Sequence, residues 1–175
     1  MLRILVVDGN TKDTNARHIA CGGSATGDFY AGVLRRLSRD LTIDIIHPAD
    51  HPRRLHSVVA DYDGLVWTGS ALNAYRPIPE VRSQVELARH VLETSTPIFG
   101  SCWGLQITAI AAGGEVAPAR KGRELGIARD IELTAEGRAH PMFSGKTARF
   151  DAVAAHADEV VTRPAAMRVL AANAH

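Results

Sequence analysis

The sequence predicts an α/β fold: an open, mostly parallel, flavodoxin-like sheet with helices on both faces, with extra antiparallel strands after residue 114. Two observations carry this. Candidate strands and helices alternate up to Gly114, and three of those strands, Leu2–Val7, Gly64–Trp67 and Ile98-Phe99, are nearly all apolar. Strands covered on both faces look like that, because no side of them meets water. Beyond Gly114 the segments Ile127–Leu133 and Ala148–Ala154 alternate or are strand-rich and follow one another through short connections, so they read as smaller strands added to the sheet.

Taken in order, Leu2–Val7 is the first strand and stops at the turn signal Asp8-Gly9-Asn10. Thr11–Gly27, containing Gly22-Gly23-Ser24, reads as a long loop. Phe29, Val33 and Leu37 recur at helical spacing, and Leu41–Ile46 is a second strand. Pro48 and Pro52 punctuate the next connection, with a short helix expected over Leu55–Ala60. The third strand ends at Thr68-Gly69-Ser70. A helix beginning at Pro79-Glu80 carries Val81, Val85, Ala88 and Leu92 on one face. Ile98-Phe99 is the fourth strand, and the helix after it stops at Gly113-Gly114.

Composition narrows the function classes. The chain has 175 residues, 46% hydrophobic and 22% charged, which suits a single domain with one core. Its net charge of +1 comes from 20 basic and 19 acidic side chains, and Arg35-Arg36 and Arg53-Arg54 are isolated pairs. Nucleic acid and anionic membrane are therefore not expected partners. No apolar run approaches a bilayer span, and Leu2–Val7 meets Asp8 too soon for a signal peptide. The two cysteines, Cys21 and Cys102, form no Cys-x-x-Cys motif, so a reduced cytoplasmic protein is expected.

Chemistry concentrates at Gly100-Ser101-Cys102-Trp103-Gly104-Leu105-Gln106. An apolar strand, then Gly-x-Cys-x-Gly, then an apolar helical pattern is a nucleophile elbow with sulfur in place of a serine oxygen. The flanking glycines permit the sharp turn, and the following helix N-terminus favours the reactive thiolate. Functional groups of open parallel sheets gather at the carboxyl ends of strands. The second such end here is Thr68-Gly69-Ser70. Acyl transfer needs two N–H donors aimed at the developing oxyanion, and the N–H groups of Trp103 and Gly69 fit those roles.

The elbow resembles the nucleophile motif of class I (triad-type) glutamine amidotransferases, the family that includes the glutaminase half of GMP synthetase. Asp61–Ser70 resembles that family's oxyanion strand and loop. Further matches are Gly113-Gly114-Glu115-Val116, Arg123-Glu124-Leu125-Gly126, His140-Pro141-Met142-Phe143 and His156-Ala157-Asp158-Glu159-Val160, in the family's order over roughly residues 60 to 170. The resemblance implies glutamine as substrate, Cys102 as nucleophile, and a glutamyl thioester that releases ammonia and is then hydrolysed. It also implies substrate-binding roles for Gln106, Ser70, Leu125, His156 and Asp158, with neither metal nor other cofactor.

One departure stands out. The family's base and its orienting glutamate form a His-x-Glu motif near the C-terminus, and this sequence contains none. His140 reads as structural and His156 as substrate-side. Residues 1–175 are thus expected to be one glutaminase-type domain whose last strand pair and helix lie beyond His175. Ser144-Gly145-Lys146-Thr147 is not a phosphate loop, because His140 stands where its first glycine should fall. His47, His51 and His56 lack a companion ligand cluster. No synthetase signature accompanies the domain, so a separate ammonia-accepting subunit is the possible partner. The alternatives are a γ-glutamyl peptidase or hydrolase using the same cysteine chemistry, and a catalytically silent binding module.

Overall fold

A computed structural model describes residues 1–51 and 59–174. Its centre is a four-stranded parallel sheet of β1 (Leu2–Val7), β2 (Leu41–Ile46), β3 (Gly64–Trp67) and β4 (Ile98–Gly100), in the order β2-β1-β3-β4. Register aligns Leu5 with Leu65 and Leu65 with Ile98, and Val7 with Trp67 and Trp67 with Gly100. Side chains alternate across a strand, so this row shares one face. That face packs on α3 (Pro79–Leu92) and α4 (Trp103–Ala111), burying Val81, Val85, Ala88, Val91, Trp103 and Ile107 against it. Pro79 opens α3, where a missing N–H costs no helical bond. Leu92, expected on the same face, is largely exposed, and Val91 is buried instead.

The other face carries α1 (Lys12–Ala20) and α2 (Thr26–Leu37). Here the structure departs from the sequence reading twice. Thr11–Gly27 is not one long loop, because α1 occupies most of it. The Thr11 hydroxyl caps this helix by accepting from the Thr14 N–H at 3.2 Å. Inside it, buried Asn15 donates to the Asp8 carboxylate at 2.8 Å and accepts from the Thr26 N–H at 3.1 Å. α1 is therefore fastened by polar groups, which leave no apolar periodicity to read. In α2 the helix is where the spacing puts it, but Gly27 and Ala31 are its buried residues, while Phe29, Val33 and Leu37 stay exposed.

The antiparallel part is real but separate. β5 (Glu115–Pro118) pairs with β8 (Asp158–Thr162), and β6 (Glu124–Leu133) pairs with β7 (Arg149–His156) and β9 (Ala171–Ala172). These are two small sheets, not additions to the parallel one. Short connections allow hairpin pairing but not the long crossover that a parallel neighbour needs. Between β6 and β7 lie α5 (Ala135–Ala139) and a single 3-10 turn, Pro141–Phe143, which His140 caps by accepting from the Met142 N–H at 3.2 Å. The short helix expected over Leu55–Ala60 falls mainly outside the described residues; Val59–Asp61 forms a 3-10 turn. Among the described residues no helix is long and apolar enough to cross a membrane.

If the Thr11 cap holds α1, Thr11→Ala should lower stability by about 1 kcal/mol in urea denaturation, with the slope of the transition unchanged.

Candidate active site

The sheet grows from β1 in both directions, so a crevice opens at the carboxyl ends of β1 and β3. β4 ends beside it and turns into α4 through Ser101 and Cys102. The Ser101 N–H still donates to the Trp67 carbonyl at 2.9 Å, and the helix begins when Gln106 N–H reaches the Cys102 carbonyl at 3.1 Å. Between the two, Cys102 adopts φ 48°, ψ −94°, a conformation rarely taken by a residue with a side chain. The flanking glycines make the turn possible by their small size. A Cβ on Gly100 would lie 2.7 Å from the Gly104 carbonyl carbon, and one on Gly104 would lie 2.6 Å from the Trp67 Cβ.

Cys102 sits on a cleft of about 890 Å3, lined also by Gly69, Ser70, Gln106, His156 and Asp158. Residues from four separate stretches of chain thus meet at one place. Two expected site residues are placed differently. Leu125 does not line the cleft and is 70% exposed on β6, in register with Ala155. The Trp103 side chain is buried away from it, so this residue can face the cleft only through its backbone. The polar side chains already have work. Ser70 Oγ donates to Asn10 Oδ1 at 3.1 Å and accepts from the Leu72 N–H. Gln106 Nε2 donates to the Asp158 carbonyl at 3.1 Å, and the Asp158 carboxylate accepts from Asn73 at 3.0 Å. A His156 ring nitrogen lies 2.8 Å from a Glu124 carboxylate oxygen.

Electrostatics at the sulfur differ from the helix-terminus expectation. The residue is open to the cleft, yet β7 crosses close to the sulfur, whose hydrogen-bonding neighbour among the described residues is the Ala155 carbonyl at 3.9 Å. Lost hydration pushes the thiol up from its ordinary value, and the nearby Asp158 charge adds to that. The Trp103 backbone N–H pulls the other way but does not win. The resting form is therefore the thiol, and reaction requires a proton acceptor in the reacting complex.

Sequence reasoning missed several residues here. Tyr30 of α2 donates to Ser101 Oγ at 2.7 Å, tying α2 to the elbow. Phe29, Leu105 and Val153 make one side of the cleft apolar. Asn10, read only as part of a turn, accepts from the Ala71 N–H at 2.8 Å and so holds the Gly69 loop. Its position just after a strand of an α/β sheet was the available signal.

The family model of class-I glutamine amidotransferases matches residues 27–175. The chain belongs to this family. Over 175 residues it is 36% identical to a Pseudomonas γ-glutamyl-L-1-hydroxyisopropylamide hydrolase, covering 98% of this chain and 59% of the relative. The chain therefore spans less than two thirds of that relative's length. A glutamine-hydrolysing GMP synthase of Thermomicrobium roseum is 37% identical over 112 residues, 64% of this chain and 19% of that one. Among solved structures, a glutamine amidotransferase of Thermotoga maritima superposes with a TM-score of 0.72 over 97% of this chain and 66% of its own, at 17% identity, which establishes likeness of fold. The relatives are hydrolases and amidotransferases, so membership of the family makes this chain an enzyme domain.

Because burial and Asp158 both raise the Cys102 pKa, its alkylation rate should still be climbing above about pH 8.5, where an ordinary thiol levels off. Asp158→Asn removes one raising charge and should move that inflection downward, as read from the pH dependence of iodoacetamide labelling.

Proposed function

We propose that this domain hydrolyses γ-glutamyl amides through Cys102, with glutamine as substrate and ammonia as product. The observation that carries this is the left-handed backbone of Cys102 at the strand–helix junction, on the same cleft as Gly69. A strained cysteine beside a glycine-bearing strand end has little structural purpose, and acyl transfer uses both.

In this reading the Cys102 thiol gives up its proton and the sulfur attacks the amide carbon. The carbonyl oxygen takes the negative charge and is held by the N–H groups of Gly69 and Trp103. The C–N bond breaks as the amine accepts a proton and leaves. Water then adds to the thioester carbon, glutamate departs, and the thiol is restored. Gln106, Ser70, Leu125, His156 and Asp158 serve the substrate side: Gln106 and Asp158 by fixing the loop beneath the glutamyl group, Ser70 by shaping the Gly69 loop, Leu125 by holding β7 through its pairing with Ala155. Released ammonia passes to a separate synthetase subunit, a reading supported by the kinship with a glutamine-hydrolysing GMP synthase. Reduced cytoplasm suits a catalytic thiol of this kind.

A second reading has its own support. The relative matched over nearly the whole chain acts, by its name, on a substituted γ-glutamyl amide, and the cleft offers apolar Phe29, 60% exposed, and Val153, 83% exposed. A γ-glutamyl alkylamide would lay its amine substituent on that wall, with unchanged chemistry at sulfur.

A diazo-ketone analogue of glutamine should label Cys102 and leave Cys21 intact, and Cys102→Ser should abolish hydrolysis; label on Cys21 alone would overturn the assignment. Glutamine and a γ-glutamyl alkylamide compared by kcat/KM decide between the two substrates. Gly69→Val should lower kcat about 100-fold or more while the melting temperature stays put, since a Cβ at Gly69 meets nothing within 4 Å. Unchanged turnover would remove Gly69 from the oxyanion site.

A further inference from the structure

Gln84 lies on α3, is fully buried, and does not touch the cleft. Its neighbours on the same helix face, Val81, Val85 and Ala88, are apolar, so the core alone gives no reason for a carboxamide there. The hydrogen bonds do. Oε1 accepts the indole N–H of Trp103 at 2.8 Å and that of Trp67 at 3.2 Å. Nε2 donates to the Gly9 carbonyl at 3.1 Å and to the Glu80 carbonyl at 3.2 Å. Indoles only donate and carbonyls only accept, so the amide can sit one way round, and its oxygen uses both lone pairs on the two tryptophans.

The segments that meet at this group are the ones that carry the two oxyanion donors. Trp103 directly follows Cys102 and brings its own backbone N–H. Trp67 ends β3, two residues before Gly69. Gly9, held by Nε2, donates its N–H to Thr68 Oγ1 at 2.9 Å, and that hydroxyl donates to the Gly69 carbonyl at 2.9 Å. One buried carboxamide is therefore bonded to both ends of the oxyanion hole, directly on the Trp103 side and through Gly9 and Thr68 on the Gly69 side.

We propose that Gln84 is a positioning residue for the oxyanion hole: it sets the Gly69 and Trp103 N–H groups relative to one another by fastening Trp67, Trp103 and Gly9 to one side chain. The inference rests on the hydrolytic reading above. A fully satisfied buried network is stiff, and stiffness matters here because an oxyanion hole works only if its donors need no rearrangement when charge appears.

The test uses the 175-residue protein with Gln84→Met, which keeps the length and removes all four bonds, and Trp103→Phe, which removes a single indole N–H and keeps the backbone. Sites are counted by diazo-ketone labelling, and kcat is expressed per labelled site, so that partial unfolding is divided out. Misplacing donors by a fraction of an ångström should lower kcat about 10- to 100-fold in Gln84→Met with KM within about threefold. Affinity for the γ-aldehyde analogue of glutamine, which forms a tetrahedral adduct with the thiol, should fall by the same factor. Trp103→Phe should show the same pattern more weakly, and the double variant should lose no more than Gln84→Met. A kcat per site within about twofold of the unaltered protein, or aldehyde affinity unchanged while kcat falls, would overturn the proposal. Should Gln84→Met not fold, Trp103→Phe decides by the same two criteria. An unaltered protein that turns over no γ-glutamyl amide would instead bring down the hydrolytic reading, and this one with it.

Discussion

Everything at the cleft depends on holding one residue in a backbone conformation it would not choose. Cys102 at φ 48°, ψ −94° costs about 1–3 kcal/mol relative to ordinary regions. Trp103 and Ile107, the helix residues that follow, are buried against Trp67 and the apolar face of the sheet. Burial of one large apolar side chain contributes about 1.5–3 kcal/mol, so these two alone outweigh the strain. The helix is pinned by its packing, and the cysteine must take whatever backbone angles join it to β4. The glycines at 100 and 104 let that junction close without collision.

The polar interior on the opposite side of the sheet solves a related problem. Asp8 is fully buried at the end of β1, and its carboxylate accepts from Asn15, from the Gly27 N–H at 2.9 Å and from the Asn10 N–H at 3.0 Å. These bonds orient Asn10, which in turn restrains the loop after β3. A buried carboxylate is tolerable only when several donors surround it, and each of these donors belongs to a different segment near the cleft. The same group that would be costly alone becomes the fastener for α1, α2 and the Gly69 loop.

These two halves were unequally legible in the sequence. β1, β3 and β4 were readable because double-sided cover forces an apolar run, and the elbow was readable because its glycines answer to local sterics. α1 was not, since Lys12–Ala20 is polar and is anchored by Asn15, whose partners Asp8 and Thr26 are known only once the chain has folded. In α2 the apolar spacing named a genuine helix but the wrong buried side. Small Gly27 and Ala31 face inward, where a Cβ on Gly27 would come within 2.7 Å of Ile45. The pairing of β6 with β7 in a sheet of its own was also hidden, because alternation records a half-covered strand without naming its neighbour. Gln84 was the least legible of all, as its meaning lies in the convergence of residues 9, 67 and 103.

The β6–β7 hairpin borders the cleft without belonging to the parallel sheet, and this separation has an evolutionary consequence. The sulfur and its strained turn answer to the packing of α3, α4 and the sheet, whereas Val153 and its neighbours answer only to hairpin pairing and solvent. Changes along β7 can therefore redraw what the cleft admits without disturbing how the cysteine is held. Selectivity and reactivity are inherited on different strands, so a lineage is free to vary the first while keeping the second.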